Sequence, residues 1–288
     1  MPSISPTPES MAPGLYVVTT PIGHLADITL RALSVLAGVE LIAAEDTRHT
    51  RRLLDHYKIQ NRLVSYHEHN EVQRTAELIE RLAQGAAIAL VSDAGTPTVS
   101  DPGFRLVQAA VAHGIAVIPI PGVSAAITAL SVSGLPTDQF TFVGFPARKR
   151  DKRRQQLQAL AHLPHTLIFY QSPQRLTAFM AELVEILGDR PAVLAREMTK
   201  VHEEYLRAPL SQIIATLEAR DSIKGECTLL VAAAAPVEPL GEEALDQAIR
   251  QALAQKECSL SDLAKALAAR FHVSRKQIYD RALELKKP

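Results

Sequence analysis

The chain has 288 residues, of which 47% are hydrophobic and 22% are charged, a composition typical of a globular protein with room for two domains. Because its 31 basic and 31 acidic residues balance, a polyanionic partner would have to be bound by local clusters of charge. Cys227 and Cys258 lie far apart without a metal-ligand spacing, which argues against a zinc site and a disulfide scaffold. No apolar run approaches the ~20 residues of a membrane helix, so we expect a cytoplasmic protein with no membrane partner.

The first half of the chain alternates strand and helix patterns. Residues 1–13 are rich in proline and serine and lack an apolar signal region, so they are expected to form a disordered leader. The alternation over residues 14–125 predicts an N-terminal α/β domain with a mostly parallel sheet. The predicted strands lie near residues 15–20, 40–44, 63–66, 87–92 and 116–120, and the predicted helices near 27–37, 48–56, 71–84, 101–113 and 123–133.

Wider spacing of the strands after Gly134-Leu135-Pro136 predicts a second α/β domain over residues 126–234. Its strands are predicted near residues 140–144, 166–171, 192–197 and 226–233, and its helices near 151–162, 173–187 and 209–219. A proline-containing linker at residues 235–239 then leads into a small C-terminal helical appendage.

The appendage, residues 240–288, resembles a helix-turn-helix. Ser274 is placed to cap its second helix. The apolar spacing predicts a buried face formed by Val273, Ile278, Ala282 and Leu285. Basic residues including Arg275 and Lys276 favour a face that binds nucleic acid, and a purely structural helical cap is the alternative.

Three predicted strands end in turns made of small residues. The first ends at Thr20-Pro21-Ile22-Gly23, the fourth at the run from Ser92 to Pro97, and the fifth at Pro121-Gly122 followed by Val123-Ser124-Ala125. Because the carboxyl ends of parallel strands face one edge of a sheet, these loops are expected to converge on one ligand crevice. None has the phosphate-binding pattern GxGxxG or GxxxxGK[ST], and plain β-α turns are the alternative interpretation.

Two clusters of basic residues indicate a polyanionic partner. The first places six cations in seven residues, namely Arg148, Lys149, Arg150, Lys152, Arg153 and Arg154. The second follows the second predicted strand and includes Arg48, Arg51 and Arg52. Release of counterions from phosphates makes such clusters bind RNA, with a strong dependence on salt. A solvated start of a helix is the alternative for the first cluster.

A series of motifs resembles the tetrapyrrole methylase superfamily. The motifs are LYVVTTPIG at residues 15–23, AEDTR at 44–48, SDAGTP at 92–97, SDPG at 100–103, PIPGVSA at 119–125, FVGFP at 142–146, FYQSP at 169–173, AREMTK at 195–200 and KGE at 224–226. Within the superfamily they resemble the branch that methylates the ribose 2′-oxygen of a cytidine in the decoding region of 16S ribosomal RNA. The similarity extends over residues 14–233 and into the helical tail.

The resemblance implies a two-domain α/β fold with a mostly parallel sheet in the first domain and a mixed sheet in the second. It also implies that S-adenosylmethionine binds between the domains, that the chain forms a homodimer, and that 16S rRNA or the small ribosomal subunit is its partner. Matching positions imply cofactor contacts from Pro21, Gly23, Asp93, Ala94, Gly95, Thr96, Ser124, Ala125, Tyr170, Ala195 and Thr228. Porphyrin-modifying relatives have a Gly-Asp-Pro turn where this chain has Asp-Ala-Gly-Thr-Pro, which weighs against a tetrapyrrole substrate. Methylation of a small tetrapyrrole, or a non-catalytic role as an RNA-binding ribosome-assembly factor, are the alternatives.

A ribose 2′-hydroxyl is a poor nucleophile, so the reaction profits from a general base or from cations beside the developing alkoxide. The candidates near strand ends are Glu45, Asp46, Arg48, Arg196, Glu197 and Lys200, with Asp46, Arg48, Glu197 and Lys200 preferred. A structural network of ion pairs, for example between Glu197 and Arg48, is the alternative. His67 and His69 share a strand face but lack a third ligand, so no metal is expected.

Overall fold

The computed structural model describes residues 11–234, 242–254, 260–271 and 274–285. It divides into two compact units, Met1–Ala233 and Ala234–Pro288. Residues 1–10 of the predicted leader lie outside the described residues, as do the linker at 235–239, Cys258 and Val273.

A parallel five-stranded sheet in the order β3-β2-β4-β1-β5 forms the first half of the larger unit. Its strands are β1 (Gly14–Val18), β2 (Leu41–Ala44), β3 (Leu63–Ser65), β4 (Ala87–Val91) and β5 (Val117–Ile120). Its helices are α1 (Leu30–Gly38), α2 (Thr47–His56), α3 (Glu71–Ala83) and α4 (Phe104–Ala112). All residues of β2 and β4 are buried because helices cover both faces of the sheet. Because these strands are parallel, the carboxyl ends of β1, β4 and β5 lie at the same edge of the sheet.

Helix α4 begins later than predicted. The sequence placed its start near residue 101, whereas the first helical residue is Phe104. Pro102 disfavours helical backbone in the residue before it, and Gly103 has φ of 128°, outside the helical region. Asp101 therefore belongs to the loop after β4, residues 92–103, and not to the helix.

A mixed five-stranded sheet in the order β6-β7-β10-β8-β9 forms the second half. Its strands are β6 (Phe140–Gly144), β7 (Thr166–Gln171), β8 (Pro191–Arg196), β9 (Glu204–Pro209) and β10 (Cys227–Val231). Its helices are α5 (Ala125–Ser131), α6 (Arg150–Leu160), α7 (Pro173–Leu187) and α8 (Leu210–Glu218). Strand β9, which the sequence analysis missed, pairs antiparallel with β8 at the sheet edge.

Helix α5 packs on the second sheet, in an apolar cluster that also includes Ile22 of the first half. Ala126, Ala129 and Leu130 of this helix are buried against Ile168 and Leu230 of the second sheet. We therefore propose that the first domain ends near residue 125. The expected α/β class, with one parallel and one mixed sheet and a helical appendage, is confirmed.

The smaller unit contains three helices, α9 (Glu242–Ala254), α10 (Leu260–Phe271) and α11 (Arg275–Leu285). The Ser274 hydroxyl accepts a hydrogen bond from the Gln277 amide at 3.1 Å, as predicted for a capping residue. Ile278 and Ala282 are buried in the core of this unit, again as predicted, with Leu285 partly buried. No helix in the described part of the chain combines the length and apolar character needed to cross a membrane.

Candidate active site

The loops after β1, β4 and β5 line one cavity of about 380 Å³. Ile22 comes from the first loop, residues 93–96 from the second, and Ser124 and Ala125 from the third. The expectation that these three loops converge on one crevice is confirmed. The volume lies in the range of small-molecule and cofactor sites in proteins.

Backbone hydrogen bonds join two of these loops. The Thr20 amide donates to the Gly95 carbonyl at 2.9 Å, and the Gly95 amide donates to the Thr20 carbonyl at 3.0 Å. The Thr20 hydroxyl also donates to the Ser92 carbonyl at 3.1 Å. Gly95 has φ of 77°, a left-handed conformation that glycine adopts without the Cβ clash of other residues. The floor of the cavity is thus held in one backbone conformation.

The second sheet supplies the opposite wall. Tyr170 and Gln171 come from the end of β7, Cys227 and Thr228 from the start of β10, and Phe145 follows β6. The Tyr170 hydroxyl accepts a hydrogen bond from the Ala126 amide at 3.2 Å, and burial raises the pKa of Tyr170. The Phe145 ring contacts Tyr170 edge-on with a centroid distance of 5.6 Å, yet Phe145 is 57% exposed. The partly exposed ring of Phe145 therefore lies at the rim of the cavity.

The cavity is acidic. Glu45, Asp93, Asp101 and Glu226 line it, and among the described residues of its wall there is no lysine, arginine or histidine. Burial raises the pKa of Glu45, although the Asp93 amide donates to its carboxylate at 3.2 Å. Burial together with the charges of Glu45, Asp93 and Glu226 raises the pKa of Asp101 to about 7. Among the described residues only Glu226 of these four carboxyl groups has an ion-pair partner, Lys200, so the cavity favours a cationic ligand and disfavours a phosphate.

Comparison with known proteins identifies the family. Residues 14–214 match the family described as Tetrapyrrole (Corrin/Porphyrin) Methylases. The chain belongs to this family. Its matched segment contains strands β1 to β9 and most of the residues that line the cavity, which confirms the resemblance recognised from the motifs.

Curated relatives of this methylase share about half of its residues. A protein of Escherichia coli O157:H7 named "Ribosomal RNA small subunit methyltransferase I" is 48% identical over 94% of this chain and 94% of its own length. A protein of the same name from Mesorhizobium japonicum is 46% identical over 96% of this chain and 93% of its own length. Another, from Micromonospora olivasterospora, is 52% identical over 76% of this chain and 70% of its own length.

Solved structures confirm the fold. Uroporphyrin-III C-methyltransferase from Thermus thermophilus, complexed with S-adenosylhomocysteine, is 20% identical with a TM-score of 0.54 over 76% of this chain and 97% of that chain. Diphthine synthase is 16% identical, with a TM-score of 0.57 over 76% and 89% of the two chains.

Eight of the eleven predicted cofactor residues of this methylase line the cavity. They are Asp93, Ala94, Gly95, Thr96, Ser124, Ala125, Tyr170 and Thr228. Pro21, Gly23 and Ala195 do not. At Gly23 a Cβ would lie 2.6 Å from both Thr199 Oγ1 and Lys200 Cγ, so this glycine permits close packing against the loop after β8. Ala195 is fully buried opposite Thr228 in the sheet.

Sequence reasoning missed part of the wall. Val99, Ser100, Asp101, Phe145, Gln171, Ser172, Pro173, Met198, Gly225, Glu226 and Cys227 all line the cavity, although no role was predicted for them. Most lie inside the motifs SDPG, FVGFP, FYQSP, AREMTK and KGE, so the motifs marked these segments.

Asp46 and Arg48, two preferred catalytic candidates, pair with each other at the start of α2. Arg48 Nη2 lies 2.7 Å from Asp46 Oδ2, and the Arg48 amide donates to Asp46 Oδ1 at 2.8 Å. These contacts hold the pKa of Asp46 well below its usual range. The Arg48 side chain is 87% exposed, and neither residue lines the cavity.

Glu197 and Lys200, the other two preferred candidates, form a triad with Glu226. Lys200 Nζ lies 2.9 Å from Glu197 Oε1 and 3.2 Å from Glu226 Oε2, and the Glu226 amide donates to Glu197 Oε1 at 2.9 Å. Although partial burial acts to raise it, the pKa of Glu197 is lowered by the Glu226 amide and the Lys200 ammonium. The ion pair suggested between Glu197 and Arg48 is wrong, because each residue pairs locally.

The first basic cluster divides into two groups. Arg153 and Arg154 turn toward α7, where they pair with Glu182 and Glu185. The remaining cations, Arg148, Lys149, Arg150 and Lys152, are exposed beside Phe145 in the chain. In the second cluster Arg51 donates to the Asn61 carbonyl at 3.2 Å, and Arg52 is exposed.

The other predicted RNA contacts lie in the smaller unit. Arg275 donates to the Ser261 hydroxyl at 2.6 Å, and Lys276 is exposed. Across the residues that the structure describes, no group of three His, Cys, Asp or Glu side chains is arranged to hold a metal ion.

Proposed function

We propose that the chain methylates the 2′-oxygen of a cytidine ribose in the decoding region of 16S ribosomal RNA, with S-adenosylmethionine as methyl donor. Its membership in a family of methylases makes it a methyltransferase, and relatives named for the small-subunit rRNA support the substrate class. The observation that carries the proposal from the structure is the acidic cavity, whose described wall contains four carboxyl groups and no basic side chain.

The cavity fits the proposed donor chemically. S-adenosylmethionine supplies a methyl group on a positively charged sulfur. The carboxylates of Glu45, Asp93 and Glu226 would stabilise that charge by Coulomb attraction, which is strongest where burial lowers the effective dielectric. Small residues such as Ala94 and Gly95 leave room for the ligand, and the ring of Tyr170 offers an apolar face.

The chemistry required of the protein is mostly alignment. Methyl transfer is an in-line displacement, so the acceptor oxygen must be held on the axis of the breaking bond and water must be kept out. The pair of backbone hydrogen bonds between Thr20 and Gly95 holds together the loops after β1 and β4, which would contact the methyl donor. The exposed ring of Phe145 at the rim is suited to stack against the base of an unpaired nucleotide.

The exposed cations that follow Phe145 extend this rim into a surface for RNA. Arg148, Lys149, Arg150 and Lys152 stand free of the ion pairs that occupy Arg153 and Arg154, in the described part of the chain. A positive surface beside an aromatic ring is the usual way to hold a single strand, because phosphates and bases are bound separately. The acidic cavity would repel the backbone phosphates, so only the acceptor nucleoside would enter it.

The remaining expectations belong to the same proposal. Asp46, Arg48, Glu197 and Lys200 stay candidates for roles in catalysis, and their positions favour holding the loops around the cavity. Arg51, Arg52, Arg275 and Lys276 stay candidate RNA contacts. The homodimer implied by the resemblance is checked by light scattering of the purified chain.

The deciding experiment maps the methylated nucleoside. Small subunits from cells lacking the enzyme are incubated with the purified chain and methyl-labelled S-adenosylmethionine, and the rRNA is analysed by mass spectrometry. The proposal expects one new 2′-O-methylcytidine in the decoding region. Label on a porphyrinoid and none in RNA would support the tetrapyrrole alternative. RNA binding without cofactor binding in calorimetry would support the assembly-factor alternative.

The RNA surface is tested by neutralising the four free cations. Replacing Arg148, Lys149, Arg150 and Lys152 by glutamine removes up to four phosphate contacts, so the slope of log K against log salt should fall by about 3. The measurement is a salt titration of binding to a decoding-region RNA fragment. Affinity for S-adenosylhomocysteine is the control and should not change. An unaltered slope would move the RNA surface elsewhere.

A further inference from the structure

Asp101 differs from the other carboxyl groups of the cavity in its partners. The Glu45 carboxylate accepts from the Asp93 amide, the Asp93 carboxylate accepts from the Asp46 amide at 3.0 Å, and Glu226 pairs with Lys200. For Asp101 no cation lies within ion-pair distance in the described chain, and the group that interacts with its carboxyl is the hydroxyl of Ser92. Its oxygens therefore remain available to a ligand.

The other titratable groups of the wall are less free than Asp101 to accept a proton, because the Glu45 and Asp93 carboxylates each accept a hydrogen bond from a backbone amide. Burial raises the pKa of the Tyr170 hydroxyl and raises that of the Cys227 thiol to about 11, so both keep their protons. Glu226 is committed to its ion pair with Lys200. Asp101 combines exposure to the cavity with a pKa of about 7, the range in which a general base is most effective.

The loop that carries Asp101 is held in an unusual conformation. Thr98 and Ser100 have φ of 74° and 67°, a region that non-glycine residues rarely adopt. Packing around the loop is close, because a Cβ at Gly103 would lie 2.7 Å from Leu90, and one at Gly144 would lie 2.9 Å from the Ser100 hydroxyl. Strained backbone kept by its surroundings is a feature of functional sites, and here it fixes Asp101 in the cavity wall.

We propose that the carboxylate of Asp101 is the general base that accepts the proton of the ribose 2′-hydroxyl. This inference rests on the proposed function and goes beyond it by assigning the proton. The O2′–H bond breaks and its proton passes to Asp101, while the oxygen electron pair forms the bond to the methyl carbon. The bond between that carbon and sulfur breaks with its electrons going to sulfur, and Asp101 later releases the proton to solvent.

The charges around Asp101 determine how its ionisation depends on pH. Glu45, Asp93 and Glu226 face it from the ends of β2, β4 and the start of β10, and Tyr170 faces it from β7. The three carboxylates favour the protonated acid, whereas a bound sulfonium cation favours the carboxylate. We therefore expect kcat/KM to rise with pH around 7, and kcat to rise at a lower pH.

The test compares Asp101→Asn with the wild-type chain. The variant should lower kcat by about 10²- to 10⁴-fold and lose the acidic limb of the pH profile, with no loss of thermal stability. Glu45→Gln is the matched variant. It removes one neighbouring negative charge, so the limb should persist and move to lower pH. If Asp101→Asn does not fold, the shift of the acidic limb in the pH profile of Glu45→Gln tests the proposal, and an unshifted limb contradicts it.

A binding readout is independent of turnover. In the wild-type chain the preference for S-adenosylmethionine over the uncharged S-adenosylhomocysteine should increase between pH 6 and pH 8, while in Asp101→Asn it should change less. A variant with wild-type kcat and pH profile, on RNA that the wild-type chain converts to 2′-O-methylcytidine, overturns the role of Asp101 alone. Absence of that product with the wild-type chain overturns the proposed function itself.

Discussion

Replacement of Arg153 by methionine should destabilise the larger unit strongly. Arg153 Nε donates to Glu182 Oε2, and the two side chains are only 21% and 9% exposed. The second carboxylate oxygen, Oε1, is buried without a hydrogen-bond partner. Removing the guanidinium therefore leaves an uncompensated buried charge, which costs about 3–5 kcal/mol. For a unit of this size the melting temperature should fall by about 6–20 °C.

The matched control lies one residue away. Arg154 pairs with Glu185, whose side chain is 58% exposed, so water solvates Glu185 when Arg154→Met removes its partner. Thermal unfolding followed by circular dichroism should separate Arg153→Met clearly from Arg154→Met. The double variant Arg153→Met with Glu182→Leu should recover most of the loss, since no charge is then left buried. Equal melting temperatures for the two single variants would refute the reasoning.

Two further predictions concern pH and the cavity floor. The side-chain hydrogen bond from Arg220, with that from Arg196, lowers the pKa of Glu204 to about 2, so its stabilising contribution is complete above pH 4.5 and is lost as the pH falls toward 2. The gap in melting temperature between the wild-type chain and Glu204→Gln should shrink over that window, and a constant gap would contradict this linkage. Gly95→Val should weaken binding of S-adenosylhomocysteine about 10- to 100-fold, because valine at φ of 77° strains the cavity floor. Gly114→Val is its control, since Gly114 has φ of 66° in open space away from the cavity, and equal losses of affinity in calorimetry would argue against the site.

The parallel half of the fold could be predicted because its strands carry a strong signal. Strands such as β4 are continuous apolar runs buried on both faces, and each stops at a turn of small residues. Strand β9 could not be predicted in the same way. Its residues Glu204–Pro209 are half-buried or exposed at the sheet edge, so the pattern of Glu-Tyr-Leu-Arg-Ala-Pro has no apolar run. Its place depends on pairing with β8, which local sequence does not encode.

The candidate site was predicted where it follows from sheet geometry. Residues 93–96 and Ser124 lie at strand ends, and the parallel sheet brings those ends together. Asp101 and Glu226 could not be found by that rule. Asp101 reaches the cavity through a loop of strained conformation, and Glu226 lies directly before β10, an antiparallel strand of the other sheet. Both placements depend on tertiary contacts between distant segments.

The carboxyl groups of the cavity are divided between the two halves of the larger unit. Glu45, Asp93 and Asp101 belong to the first half, whereas Glu226 belongs to the second. Lys200 pairs with Glu226, whereas the carboxyl groups of the first half have no cation within ion-pair distance in the described chain, so a positively charged ligand would be attracted mainly by the first half. Under the proposed function the sulfur of the ligand would become neutral once the methyl group has left, and that attraction would be lost. Loss of this attraction would favour dissociation of the demethylated ligand from the cavity.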